Sequence, residues 1–299
     1  MQAAARALGR RASRTGVRGM ATEKQLRLQI TATQNLAKIT QSMKMVSASK
    51  LRGDQTRLDI AKPFGAWTTR LSSEAPMMEE IEDVSDFPDK NLFICLTSDK
   101  GLCGGVNSVI TRNMRSLCAL LDKEGKEYQI LVFGDKGRAQ LRRLFADNML
   151  ACITESEAPH NFATAAALSQ VASKDSYDAV HLVYNEFVSA IAYNTRLATV
   201  APMLKEDVAE PMPEYEFEPD NKNEVMVDLF EYMLTTKIYY GLMEGATSEQ
   251  SSRMNAMENA SKNAGELIDK LTLQYNRARQ ARITTELIEI ISGASALEG

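Results

Sequence analysis

The chain has 299 residues, of which 44% are hydrophobic and 25% are charged, and its formal net charge is −4. These values are ordinary for a globular protein, and no run of 18 apolar residues is present that could span a membrane. Four cysteines without a CxxC pair and two histidines without metal-ligand spacing predict free or buried thiols and no metal site.

Residues 1–20 differ in composition from the rest of the chain. They contain five arginines and no acidic residue, which is typical of a mitochondrial presequence. Arg18 stands three residues before Ala21 and predicts cleavage after Met20. The alternative is a basic tail that binds nucleic acid or membrane. Removing the five arginines lowers the net charge from −4 to −9, which excludes a general nucleic-acid-binding role for the mature chain.

The next segment, residues 21–76, is predicted to form a long N-terminal helix. No proline occurs from Thr22 to Lys62, so we expect a start at Thr22 or Thr31 and a break or kink at Pro63 and Gly65. The proline-free part, Thr22 to Lys62, would form a helix about 60 Å long. The residues at helical spacing that we expect to form its apolar face are Leu26, Ile30, Ile39, Met43 and Val46.

An α/β domain is predicted at residues 91–201, after an acidic linker at residues 77–90. Short apolar runs typical of buried strands alternate with helical patterns. The predicted strands are 91–97, 128–133, 149–154, 179–187 and 190–200. We therefore expect a mostly parallel, Rossmann-like sheet with helices on both faces and an antiparallel closing pair.

The turn Ser98–Asn107 (SDKGLCGGVN) lies where a phosphate-binding loop would lie. Its glycines do not follow GxGxxG, and no Gly-Lys-Ser/Thr is present. No Ser–His–Asp or Cys–His order is apparent, so we expect no catalytic residue and no cofactor. Lys100 at the tip of the turn either contacts an acidic partner or is solvated.

The last segment, residues 221–299, follows a proline-rich acidic connector at residues 202–220. It contains no proline and predicts one helix from a cap at Asp220 or Asn221 to about Ala296. A helix of this length would span about 114 Å and needs a partner along its length. The simplest partner is the N-terminal helix, paired antiparallel with it.

Apolar and small residues predict how this helix is covered. The predicted coiled-coil seam consists of Leu267, Leu271, Gln274, Ala278, Ala281, Thr285, Ile288 and Ser292. Further apolar residues lie off that seam, namely Ile283, Leu287, Ile290 and Ile291. One partner helix cannot cover so many faces, so we expect the last turns to be enclosed by something larger.

Three segments resemble the gamma subunit of the F-type ATP synthase. They are KITQSMKMVSASKL (residues 38–51), the turn SDKGLCGGVN, and the C-terminal run at residues 248–294, which contains ITTELIEIISGA. The resemblance covers the chain from Ala21 to its C-terminus and is closest to the mitochondrial form. The chloroplast form carries an inserted regulatory cysteine pair that this sequence lacks.

The resemblance implies a rotor subunit without catalytic activity. The terminal helices would form an axle inside a hexamer of alternating alpha and beta subunits, and the α/β domain would form the foot. The foot would contact the membrane c-ring and the delta and epsilon stalk subunits. Proton flow would turn the ring and drive conformational cycling of the catalytic beta subunits. The location would be the matrix side of the mitochondrial inner membrane.

The resemblance also implies which residues contact the hexamer. The positions that match the family motifs are Met43, Arg253, Arg279, Gln280 and Thr284. Lys100 stands where relatives often have arginine, and Ile288 in the apolar tip completes the predicted contact set.

Two other classes of function remain open from the sequence. A structural coiled-coil scaffold with an α/β docking domain would use the long helices as a tether. A nucleotide-binding α/β enzyme with helical arms would use the glycine-rich turn.

Overall fold

This computed structural model describes residues 23–71, 75–173, 176–201 and 222–297. The predicted presequence, the connector at residues 202–220 and the predicted caps Thr22, Asp220 and Asn221 lie outside the described residues. The elements in chain order are α1 (Glu23–Leu71), a 3-10 turn (Met78–Glu80), β1 (Lys90–Leu96), α2 (Val106–Glu124), β2 (Glu127–Phe133), α3 (Asp135–Leu141), β3 (Met149–Ile153), α4 (Phe162–Ala172), β4 (Ala179–Ser189), β5 (Ala192–Val200) and α5 (Lys222–Leu297).

The chain divides into two compact units. One unit is Thr40–Asn259, and the other combines Met1–Ile39 with Ala260–Gly299. Helices α1 and α5 each contribute residues to both units.

The unit Thr40–Asn259 contains a five-stranded sheet with the order β3-β2-β1-β4-β5. Strand β1 pairs parallel with β2 and β4, and β2 pairs parallel with β3. Strands β4 and β5 pair antiparallel. The predicted Rossmann-like, mostly parallel sheet with an antiparallel closing pair is therefore confirmed.

Both faces of the sheet are covered by helices, as predicted. Side chains alternate between the faces along β1, and residues Leu92–Leu96 are all 4% exposed or less. Leu92 and Ile94 face a core built with α1, α4 and α5. Phe93 and Cys95 face a second core built with α2 and α3. This double burial explains why β1 is a continuous apolar run instead of an alternating one.

His181 of β4 is a buried polar residue of this unit. Its ring stacks on Phe93 with 4.8 Å between centroids. Its Nδ1 and Nε2 lie 2.9 Å from Thr199 Oγ1 and 3.0 Å from Asn91 Oδ1. Burial lowers the pKa of His181 to about 3, so the ring is neutral at physiological pH.

We expect His181 to make the free energy of unfolding depend on pH. Because its pKa is about 3 in the folded chain and 6.5 when free, the unfolded state binds the proton first as the pH falls. The contribution of His181 to the free energy of unfolding is therefore complete above pH 6.5 and decreases as the pH falls below it. The decrease is about 2 kcal/mol between pH 7 and pH 5. Denaturant unfolding of the full chain and of His181→Gln at both pH values measures this. Equal pH dependence of the two proteins would contradict the expectation.

Helix α1 runs through Pro63 and ends at Leu71, so the predicted break at Pro63 is wrong. Tertiary packing offsets the backbone hydrogen bond that proline removes. Ala61 and Thr68 are fully buried, and Gly65 lies so close to the Tyr240 ring of α5 that an added Cβ would be 2.8 Å from it. The start predicted at Thr31 is also wrong, because this residue lies inside α1.

The predicted apolar face of α1 is only partly correct. Leu26 is buried and Ile30 is half-buried, but Ile39 and Val46 are each 56% exposed. Small polar residues take the buried positions instead, with Thr40 at 5% and Ser47 at 2% exposure. The face was misassigned because small side chains, which permit close helix approach, carry little hydrophobic signal in the sequence.

Helices α1 and α5 run antiparallel in the unit Thr40–Asn259, as predicted, because the earlier Lys44 of α1 meets the later Glu258 of α5 and the later Gly65 meets the earlier Tyr240. In the unit Thr40–Asn259, Lys44 Nζ lies 3.3 Å from Glu258 Oε2. In the other unit, Arg282 Nε lies 2.8 Å from Glu23 Oε2.

The buried line of α5 in this second unit differs from the predicted seam. Leu271 is 9% exposed and Ala278 is half-buried, as expected. Leu267 is 47% exposed. The other predicted seam residues that are exposed are Gln274, Ala281, Thr285, Ile288 and Ser292. The residues that are buried or half-buried along this line besides Leu271 and Ala278 are Ala264, Ile268 and Tyr275. The prediction was therefore one residue out of register at Ile268 and Tyr275.

The last turns of α5 expose many apolar side chains. Arg282 pairs with Glu23, where the described part of α1 begins, and α5 continues from there to Leu297. The exposed apolar residues beyond Arg282 are Ile283 (48%), Leu287 (55%), Ile288 (57%), Ile290 (69%), Ile291 (56%) and Leu297 (90%). In the part of the chain that the structure describes, no second helix covers this segment.

Candidate functional site

The glycine-rich turn between β1 and α2 is held by its own polar side chains. Asn107 Oδ1 accepts a hydrogen bond from Ser98 N at 2.9 Å, and Asn107 Nδ2 donates to Ser98 Oγ at 2.8 Å. Gly104 has a φ of +64°, a conformation that favours glycine. The sequence prediction that these glycines serve backbone conformation is confirmed at this position.

Asp99 connects the turn to two neighbouring segments. Its carboxylate accepts hydrogen bonds from Asp135 N at 2.8 Å and from Ser156 N at 3.1 Å. Two charge-assisted bonds to backbone amides fix the turn against the start of α3 and the loop after β3. The turn is therefore a rigid platform for Lys100, whose side chain is exposed.

The place where α/β proteins bind nucleotides is occupied by α5. Ligands bind such sheets beyond the carboxyl ends of the strands, where the strand order reverses, which here lies between β1 and β4. Gly241 and Gly245 of α5 line this crevice together with Ser98, and the remaining cavity is ≈ 30 Å³. Since a cavity needs roughly 10–15 Å³ of such space to hold one water, the crevice has room for about two waters and not for a nucleotide.

A larger cleft of ≈ 520 Å³ opens beside the turn. Two ion pairs lie in its walls: Arg57 bonds Asp54, and Arg253 bonds Glu249. Ser156 Oγ and His160 Nδ1 lie 3.3 Å apart in its wall. However, the carboxylate of Asp99 is engaged by backbone amides and not by this histidine. The nucleophile–base–carboxylate relay of a hydrolase is therefore not assembled here.

Arg253 lies inside the unit Thr40–Asn259 and is 7% exposed. Its Nε and Nη2 each lie 3.4 Å from Gly101 O, in the same turn that presents Lys100. Burial raises the pKa of its partner Glu249, and the charge of Arg253 opposes that shift. Glu249 was not among the residues predicted from the sequence, although a Glu–Arg pair four residues apart on a helix is a recognisable signal. Contact of Arg253 with another subunit stays a prediction.

The other predicted contact residues lie on the long helices. Met43 of α1 is half-buried. Arg279, Gln280, Thr284 and Ile288 of α5 are all exposed, and Thr284 Oγ1 donates a hydrogen bond to Gln280 O within the helix at 2.9 Å. Their exposure leaves these side chains accessible, and their contact with other subunits stays a prediction.

Fold and site together define a class of protein: an α/β domain inserted between two long terminal helices, with its ligand crevice filled by one of them. A family model described as ATP synthase matches residues 22–297. The mitochondrial ATP synthase subunit gamma of Drosophila melanogaster is 40% identical over 283 residues, which cover 94% of this chain and 92% of the relative. The corresponding protein of Ipomoea batatas is 39% identical over 295 residues, with coverages of 95% and 88%. The chain belongs to the gamma-subunit family of ATP synthase.

Solved structures agree with this assignment. A chain in the central stalk/c-ring structure of the Tetrahymena thermophila mitochondrial ATP synthase is 34% identical, with a TM-score of 0.62, 75% of this chain covered and 99% of that chain covered. A chain of the Euglena gracilis mitochondrial ATP synthase shares the fold, with a TM-score of 0.79, 19% identity and coverages of 92% and 94%. None of the helices in the described residues combines the length and apolar composition needed to cross a membrane.

Proposed function

We propose that this chain is the central-stalk rotor of an F-type ATP synthase. In this role it couples rotation of the membrane c-ring, driven by proton flow, to conformational cycling of the catalytic beta subunits. The observation that carries the proposal is the end of α5, a single helix with apolar side chains exposed on several faces.

The exposed end of α5 fits a surrounding sleeve of protein. Exposed apolar patches of this kind mark interaction sites in soluble proteins. Ile283 and Leu287 share one face of the helix, whereas Ile288 lies about 140° around the axis from Ile283 at 3.6 residues per turn, so a single partner helix would leave part of this surface in water. A hexamer of alternating alpha and beta subunits would cover all faces at once.

The proposed mechanism requires no chemistry in this chain. A rotor that differs from face to face contacts each of three catalytic sites differently and so favours a different conformation in each. Arg279 and Gln280 would supply polar contacts to the hexamer near the exposed end of α5, where charge-assisted hydrogen bonds resist slip. The chain itself would be a non-catalytic part of the enzyme, because its nucleotide crevice is filled by α5.

The remaining parts of the chain have proposed roles in this assembly. The α/β domain at residues 91–201 would be the foot that meets the c-ring and the delta and epsilon subunits. Residues 21–76 and 221–299 would form the axle, and residues 1–20 would be removed after import. The mature chain would then lie on the matrix side of the mitochondrial inner membrane.

Purification of the tagged full chain from mitochondria tests this function. We expect alpha, beta, delta, epsilon and c subunits to copurify in constant proportion, and ATP hydrolysis to be found in the complex and not in the isolated chain. Recovery of the chain without alpha and beta subunits, or hydrolysis by the chain alone, would contradict the proposal.

A further inference from the structure

Helix α5 carries a row of polar side chains that contact the α/β domain within the unit Thr40–Asn259. Four of them donate hydrogen bonds to backbone carbonyls of that domain, and we name them the polar clamp: Ser248, Ser251, Ser252 and Asn255. Their spacings of three, four and seven residues place them on one face of the helix.

The acceptors of the polar clamp lie on two separate segments of the domain. Ser252 Oγ donates to Cys103 O in the glycine-rich turn at 2.7 Å. Ser251 Oγ and Asn255 Nδ2 both donate to Ala190 O, between β4 and β5, at 2.6 and 2.7 Å. Ser248 Oγ donates to Asn185 O in β4 at 3.1 Å. Helix α5 is therefore hydrogen-bonded both to the glycine-rich turn and to β4 and the turn after it.

One turn earlier, α5 makes another hydrogen bond to the domain, in which its side chain is the acceptor. Glu244 Oε2 accepts a hydrogen bond from Phe187 N of β4 at 2.7 Å, and the residue is 2% exposed. A buried carboxylate is costly unless it is hydrogen-bonded, and burial raises the pKa of Glu244. This contact extends the directional attachment of α5 along β4.

Hydrogen bonds can fix the rotation of a helix about its own axis, whereas an apolar contact cannot. Apolar burial is non-directional, so a smooth apolar face would resist rotation of a helix about its own axis only weakly. A hydrogen bond weakens steeply as its angle departs from linearity. Bonds from one face of the helix to carbonyls on two separate segments of the domain therefore fix its rotational orientation relative to the domain.

We propose that the polar clamp is the torque attachment between the α/β domain and α5, and that its members are positioning residues for coupling. The proposal rests on the rotor function and adds to it the place where rotation of the domain becomes rotation of the helix. Ser252 and Asn255 are the best members to test because both are only half-buried, so their truncation leaves the core intact.

The test compares three variants of the full chain in the assembled ATP synthase. Ser252→Ala with Asn255→Ala removes two donors, and Ser252→Thr keeps the hydroxyl at one of them. Thr272→Ala is the matched control, because its hydroxyl donates to Ile268 O within α5 itself. The readouts are amide hydrogen exchange at residues 101–104 and 186–192, and the number of protons pumped per ATP hydrolysed in vesicles.

We expect the double variant to exchange about fivefold to thirtyfold faster at these two segments, as loss of two hydrogen bonds predicts. We also expect its pumping per ATP to fall, while Ser252→Thr and Thr272→Ala match the wild type. Faster exchange with unchanged pumping per ATP would show that the bonds are purely structural and would overturn the proposal. Unchanged exchange in the double variant would also overturn it. A wild-type complex without coupled pumping would instead overturn the rotor function itself. If the double variant does not assemble, Ser252→Ala alone is measured by the same criteria.

Discussion

Gln280→Leu should reduce coupled ATP synthesis by about tenfold, the consequence of losing roughly 1.4 kcal/mol of contact free energy. Gln280 is exposed in the isolated chain, and leucine is as good a helix former as glutamine. The substitution therefore removes a polar group offered to the hexamer without weakening α5. ATP synthesis driven by a proton gradient, measured on the assembled complex, gives the result.

The matched control for this prediction is Gln274→Leu. It makes the same exchange on the same helix, at a position that is also exposed but that the family resemblance does not assign to a contact. Circular dichroism of both isolated chains should equal that of the wild type. Full synthesis by Gln280→Leu, or equal losses in both variants, would contradict the assigned contact.

Gly241→Ala should lower the free energy of unfolding by about 2 kcal/mol, the usual cost of overpacking a core. An added Cβ at this residue would lie 2.8 Å from Leu182 Cδ2 and 2.9 Å from Leu96 Cδ1. Both leucines are buried in strands of the sheet, so neither can move away freely. The lack of a side chain at residue 241 lets α5 pack closely on Leu96, at the carboxyl end of β1, and on Leu182 of β4.

Gly245 provides the control for this prediction. It lies one turn further along α5, and an added Cβ would meet no atom within 4 Å. Gly245→Ala should therefore stabilise the chain by up to about 1 kcal/mol, the difference in helix propensity. Denaturant unfolding of the full chain measures both variants. If both substitutions shift stability in the same direction, the close packing of α5 in this crevice is not what Gly241 provides.

Much of the fold follows from the sequence because its signals are strong and local. Residues 91–97 form a continuous apolar run that predicts a strand buried on both faces, and the structure places β1 at the centre of the sheet. The absence of proline after residue 220 predicts the length of α5. The first signal depends on exclusion of water and the second on backbone hydrogen bonding. Both can be recognised within one segment, without knowledge of which other segment packs against it.

Pairing between distant segments is less predictable. Ile39 and Val46 have the hydrophobicity of a core face, yet Thr40 and Ser47 take the buried positions. Small side chains allow α1 and α5 to approach closely, and this requirement becomes visible only when both helices are considered together. The predicted seam of α5 is likewise out by one residue at Ile268 and Tyr275, because the register depends on where α1 lies against it.

The candidate site shows the same division. Lys100 at the tip of a rigid turn and the exposed apolar end of α5 could be predicted, because both depend on residue type and local conformation. The intramolecular bond of Arg253 to Gly101 and the polar clamp could not be. Their acceptors are backbone carbonyls, which carry no residue signature.

We propose that this chain turns inside a fixed catalytic hexamer. The most direct measurement attaches a probe to the exposed Lys100 region of the α/β domain in a surface-immobilised complex and follows its orientation during ATP hydrolysis. We expect continuous rotation in one direction that stops when ATP is exhausted. Sustained hydrolysis with the probe at a constant orientation would contradict it.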